Sequence, residues 1–233
     1  MQADKSCRYL PFWQYNFDMS VAEAKIKCRY SPEEYLERER EARDRHEFLD
    51  GMIYAMAGES LSHSRICTNL SGEVRSKLKG RPCEALSPNM KVRTSNASLF
   101  SYPDLTILCG EPLLHDSKKD VLTNPKVIFE VLSPSTEKYD RTTKFLRYRM
   151  GNETLTDYIL VSQDRSFVEH FTKQPDGNWL YRSFNQISDE LTIDSIGIAL
   201  SLKEIYDRVE LADEPEEMDG IEREEGSEPS EAE

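Results

Sequence analysis

Two carboxylates occupy positions where the surrounding residues are apolar. Glu130 lies within Lys126-Val127-Ile128-Phe129-Glu130-Val131-Leu132, the strongest strand signal in the chain. Alternation places Ile128, Glu130 and Leu132 on one face, and Val127, Phe129 and Val131 on the other. A strand apolar on both faces is covered on both sides. Burying an ionised carboxylate there costs several kcal/mol unless a metal ion or a lysine compensates. The competing reading puts Glu130 at a solvated strand end. Asp104 follows Pro103 at the mouth of the short strand Leu105-Thr106-Ile107-Leu108. Its bland reading is ordinary turn chemistry. If these two strands are neighbours, the acids meet. Paired hard oxygen ligands suit Mg²⁺, with Mn²⁺ as a substitute. Such a metal can activate water and neutralise a phosphate.

The elements that must position these residues read as a mixed α/β domain. Ser31-Pro32-Glu33-Glu34 is a capping-box helix start, predicting a helix to about Arg43. Asp50-Gly51 between residues 45–50 and 52–56 predicts a hairpin. Ser60 or Ser62 caps a second helix, on which Ile66, Leu70, Val74 and Leu78 recur every four residues. Strands are expected near 83–86, 90–94 and 105–108, then a functional or mobile loop over 110–124. After the Glu130 strand, Ser133-Pro134-Ser135-Thr136 caps a helix to about Met150. A strand over 157–163, a hairpin over 166–184 and a short helix over 201–209 complete the order. Residues 1–30 form an extension of unassigned structure, 31–212 the main domain, and 213–233 an acidic tail expected to be disordered.

The chain has 43 acidic and 30 basic residues and a net charge of −13. Eleven of the acids and one arginine lie in 213–233, so the body is close to neutral. No run approaches the ~18 apolar residues of a membrane span. The opening residues lack a charged-then-apolar leader, so a cytoplasmic location and no membrane partner are expected. Five scattered cysteines without a C-x-x-C pair read as reduced thiols. No two histidines stand at ligand spacing, which disfavours a zinc enzyme.

Pro103-Asp104, Glu130-Val131-Leu132-Ser133-Pro134-Ser135-Thr136, then Asp140, Lys144 and Tyr148, resemble the Uma-two restriction-endonuclease-like family of the PD-(D/E)XK nuclease superfamily. Ser31 to Leu36, Glu47, Asp50-Gly51, Met56 and His63 follow the family's opening pattern, and the resemblance covers roughly residues 30–208. It implies a restriction-endonuclease-like central mixed sheet flanked by helices. It also implies that Asp104 and Glu130 are Mg²⁺ ligands and that a lysine assists the water. The superfamily's lysine position is Leu132 here, a departure that the family shares. By position the replacement is Lys144, whose plain reading is an i,i+4 partner of Asp140. Lys91 is its rival, otherwise a solvated strand residue. Glu47 is a candidate third acid, otherwise exposed. His63 is a candidate contact to substrate or carboxylate, otherwise a cap or core histidine. Ser162 stands where the family carries an acid.

Two basic clusters, Arg75/Lys77/Lys79/Arg81 and Arg141/Lys144/Arg147/Arg149, suit phosphate contact, or else are solvated helix faces. Arg141, Lys91 and His63 are the substrate-binding candidates. Nothing reads bases. The leading expectation is a Mg²⁺-dependent endodeoxyribonuclease acting on DNA, with a homodimer expected if both strands are cut. The alternatives are a non-catalytic nucleic-acid-binding or interaction module on the same fold, and a metal-assisted hydrolase of small phosphorylated compounds.

Overall fold

The computed structural model describes residues 10–11 and 29–212. Residues 1–9 and 12–28 of the N-terminal extension, and the acidic tail over 213–233, lie outside the described residues. The chain runs β1 (Leu10–Pro11), α1 (Pro32–Glu41), β2 (His46–Leu49), β3 (Met52–Ala55), α2 (Leu61–Leu78), β4 (Cys83–Leu86) and β5 (Lys91–Arg93). It continues through β6 (Leu99–Ser101), β7 (Leu105–Cys109), β8 (Val121–Leu122) and β9 (Val127–Leu132). A helical stretch follows: α3 (Glu137–Tyr139), a π-helical turn (Asp140–Lys144) and α4 (Phe145–Gly151). Last come β10 (Asp157–Ser162), β11 (Val168–Lys173), β12 (Trp179–Phe184), β13 (Glu190–Ile193), β14 (Ile198–Ser201) and α5 (Leu202–Ile205).

The central sheet has six strands in the order β12-β11-β10-β9-β7-β4. β9 and β10 are parallel and the other pairs antiparallel, so the sheet is mixed. Its two faces are the ones the alternation defines. Val127, Phe129 and Val131 pack with Ile66, Leu70, Val74 and Leu78 of α2. Ile128 and Leu132 pack with Phe145 and Tyr148 of α4. Glu130 therefore projects to the α4 side from a strand buried along its whole length.

Local chemistry explains the elements that position the site. Both hydrogen bonds of the Ser31/Glu34 capping box form. Asp50 and Gly51 adopt φ of 48° and 89°, the paired positive values that a tight two-residue hairpin turn demands. That turn fixes the β2–β3 register, and with it the inward direction of Glu47.

Several expectations are corrected. A second six-stranded sheet, β1-β3-β2-β6-β5-β8, stands beside the central one. The expected loop over 110–124 contains β8, which pairs with β5 and folds back on Leu114. Ser133 does not cap the following helix; its hydroxyl bonds those of Ser135 and Thr136 instead. The last helix is only four residues long, and the β13–β14 hairpin precedes it. Cys83 and Cys109 form a disulfide, where reduced thiols were expected. The reason is register: antiparallel β4 and β7 set these residues opposite one another, which cysteine spacing cannot show.

Candidate active site

The β7–β9 register brings the two predicted acids together. Leu105, the residue after Asp104, pairs with Phe129, the residue before Glu130. The Val131 N–H donates to Asp104 Oδ2 at 2.7 Å, which fixes that carboxylate against the backbone beside Glu130. Glu130 is not at a solvated strand end; it is 3% exposed.

Lys144 provides the compensation that such burial requires. Its Nζ lies 2.9 Å from Glu130 Oε1, 3.1 Å from Glu47 Oε1 and 3.5 Å from Asp140 Oδ1. The i,i+4 pair with Asp140 is thus real but is one contact of three. All four side chains are buried, so the exposed alternative for Glu47 is overturned. Glu47 is held further by the Tyr102 N–H, which donates to its Oε1 at 3.3 Å. The π-helical turn carries both Asp140 and Lys144 and widens the helix where they turn inward.

The electrostatics follow from crowding three carboxylates and one ammonium away from water. Burial, with Asp140, Asp104 and Glu47 nearby, holds the Glu130 carboxyl well above the usual carboxylate range despite Lys144. Burial likewise pushes Asp140 up to about 6. Lys144 moves the other way from what burial dictates. Glu130, Glu47 and Asp140 outweigh desolvation and raise it well above an ordinary lysine, so it remains an ammonium.

His63 reaches the same corner from α2. Its Nε2 lies 3.5 Å from Asp104 Oδ2, and its Nδ1 lies 3.2 Å from Glu59 Oε2. Its backbone N–H meets the Ser60 cap hydroxyl, so it is also a cap-turn residue. Burial opposes its charge, but the two carboxylates outweigh burial and raise its pKa. Cys67 Sγ approaches the same Nδ1 at 3.4 Å. Burial, then Asp104 and Glu59, push that thiol up.

The other predicted contacts lie elsewhere. Lys91 is buried, 3.0 Å from Asp120 and over the Tyr102 ring, and does not join the Lys144 cluster. Arg141 is taken by Glu169 at 2.6 Å, and Arg147 pairs with Asp50. Arg75, Lys79 and Arg81 line a groove of about 540 Å³ at the far end of α2. That groove is a helix length, roughly 27 Å, from the His63 end. Ser162 pairs with Leu132, and next to it buried Gln163 accepts a hydrogen bond from Ser60. Sequence reasoning passed over Glu59 and Cys67. Their signal was the four-residue spacing about His63.

The residues present fit a hard divalent cation. Asp104 and Glu130 offer only carboxylate oxygens. Glu130 Oε1 is buried and, although within ion-pair distance of Lys144, makes no aligned hydrogen bond, so it retains acceptor capacity. Glu47 does not close a compact trio with them. It turns to Lys144 instead.

This mixed sheet with flanking helices, carrying an acid pair and a lysine at its centre, defines the restriction-endonuclease-like class of fold. A crystal structure described as a "putative nuclease" from Anabaena variabilis has the same fold, with a TM-score of 0.63 at 17% identity over 76% of this chain and 97% of that one. The family model described as "Putative restriction endonuclease" matches residues 32–203. The chain belongs to that family, Uma2. Two uncharacterised proteins of Synechocystis are similar to it. One, slr1290, is 40% identical over 76% of this chain and 92% of its own length. The other, sll1609, is 35% identical over 70% and 89%. No helix among the described residues is long and apolar enough to cross a membrane.

Proposed function

We propose that the chain is a divalent-cation-dependent endonuclease that hydrolyses DNA phosphodiester bonds at the Asp104–Glu130 pair. The observation that supports this reading is that Asp104 accepts from the N–H of Val131, the residue after Glu130, while Lys144 lies against Glu130. Asp104 and Glu130 would hold Mg²⁺, or Mn²⁺ in its place. When bound, such a cation neutralises phosphate charge and lowers the pKa of a water.

The protein's own groups do the rest. Lys144 is kept charged by its carboxylates, so it serves as a hydrogen-bond donor to the attacking water and a counter-charge to the phosphate. It is not the base in this state. Glu47 and Asp140 hold Lys144 in place. His63 steadies Asp104 through Oδ2.

The test is cleavage of plasmid, linear duplex and single-stranded DNA with Mg²⁺ or Mn²⁺, alongside Asp104→Asn, Glu130→Gln and Lys144→Met. Cation-dependent cleavage lost by at least ~10²-fold in each variant is expected. Cleavage unchanged in both Asp104→Asn and Glu130→Gln would move the chemistry elsewhere. DNA binding without cleavage under any cation would favour the interaction module. Cleavage confined to a nucleotide monoester would favour the small-phosphate hydrolase. Sizing the protein alone and on DNA tests the proposed homodimer.

A further inference from the structure

His63 and Cys67 stand one turn apart on α2 and share a face, and Glu59 lies just before the Ser60 cap of that helix. His63 Nδ1 is 3.2 Å from Glu59 Oε2 and 3.4 Å from Cys67 Sγ. One ligand atom from each lies within 4.8 Å of the other two, and no other such trio occurs among the described residues. Zinc bonds of about 2.0–2.3 Å in a tetrahedron put neighbouring ligand atoms roughly 3.3–3.7 Å apart. The two short separations here are close to that edge length. The donor set is a thiolate, an imidazole and a carboxylate. It suits a borderline-soft ion and is a poor match for Mg²⁺.

The imidazole is also oriented from behind. Its Nε2 faces Asp104 Oδ2 at 3.5 Å, and that oxygen is itself fixed by the Val131 N–H. A ligating histidine whose second nitrogen donates to a carboxylate is the usual outer arrangement of protein zinc sites. Glu59 is exposed and Cys67 is partly buried, so an ion reaches the trio from solvent.

We propose that Glu59, His63 and Cys67 form a second cation site, taking a zinc-class divalent ion beside the all-carboxylate pair. On binding, the Cys67 thiol and the His63 Nδ1–H each release a proton to solvent, and the thiolate bonds the ion. The His63 Nδ1 lone pair is the second donor and a Glu59 oxygen the third. The Nε2–H then points at Asp104, so occupancy fixes the carboxylate that the neighbouring pair shares. The site stands whether or not that pair cleaves DNA.

The probe is Co²⁺ alone, added to the full chain with Cys7 and Cys28 replaced by serine so that Cys67 is the one free thiol. A thiolate-to-cobalt charge-transfer band saturating at one equivalent and displaced by Zn²⁺ is expected. Cys67→Ser should abolish the band. Glu59→Gln and His63→Ala should weaken binding by at least ~10-fold, and Asp104→Asn, which removes the outer partner, by roughly 10-fold. Glu130→Gln should leave it intact. Glu59 is exposed, so Glu59→Gln keeps the test valid if another variant fails to fold. The proposal is overturned by the absence of a band, by a band that survives Cys67→Ser, by binding unchanged in Glu59→Gln and His63→Ala, or by a band lost in Glu130→Gln.

Discussion

Asp140 shows what a single carboxyl gives up to share the interior with Lys144. Burial lifts it from an ordinary 3.8 to about 6, and the pull of Lys144 does not cancel the shift. Between these pH values the folded chain keeps a proton that the unfolded chain has released. The folded state binds more protons there, so this group's contribution to stability falls as pH rises from about 4 to about 6. Asp140→Asn removes the group and its decline. Relative to wild type the variant should gain stability across that window, by at most ~3 kcal/mol at ~1.4 kcal/mol per unit. Urea unfolding of both proteins at about pH 4.5 and pH 7.5 reads the gap. A gap that stays constant would mean that Asp140 titrates normally in the folded chain.

Helix placement decides whether Lys144 reaches the acids at all. α4 ends against the β5–β6 connection, where a Cβ on Gly151 would stand 2.5 Å from Thr94 Cβ. The Ser95 N–H also donates to Gly151 O at 2.7 Å, so neither backbone can withdraw freely. Gly151→Ala should therefore cost ~1–3 kcal/mol, read as a lowered urea midpoint. At the far edge of the central sheet, the Cys83–Cys109 bond ties β4 to β7 across 26 residues. Loop-closure entropy gives such a bond a ceiling of about 3–4 kcal/mol. Unfolding with and without reductant, and of a Cys83→Ala, Cys109→Ala variant, should show most of that loss; equal midpoints would mean that the bond adds nothing. These elements also mark where the sequence was readable. Capping residues, Asp50-Gly51 and the alternation about Glu130 announce α1, the β2–β3 hairpin and β9, because each signal is local. Strands of two or three residues such as β6 and β8 carry no period, and the division into two sheets depends on pairing between distant segments. The acid pair was legible because Glu130 interrupts one apolar strand and Asp104 stands at the mouth of another. The burial of Glu47 and the capture of Lys91 by Asp120 were not, since both are set by which sheet face each strand presents. Glu59 and Cys67 were missed for a different reason: their spacing is plain, but it mixes three ligand types.

Across the whole molecule, the charged cluster joins the two large sheets. Glu47 comes from β2 of one sheet and Glu130 from β9 of the other, and Lys144 contacts both. The same helical stretch makes other ties to the first sheet, through the Tyr148–Ser101 hydroxyl pair and through Asn152 Nδ2 donating to Arg93 O. A shared ammonium predicts a particular kind of non-additivity. Glu47→Gln or Glu130→Gln alone removes one partner of Lys144 but also relieves one repulsion between carboxylates, and the two effects partly offset. After the first substitution that repulsion is gone, and the second leaves Lys144 with Asp140 at 3.5 Å as its remaining carboxylate. The double variant should therefore be destabilised by more than the sum of the singles, with a coupling of ~0.5–3 kcal/mol in a urea double-mutant cycle. Strict additivity would mean that each sheet satisfies its own carboxylate. The acid pair would then owe its geometry to the β7–β9 register alone, not to the lysine held between the sheets.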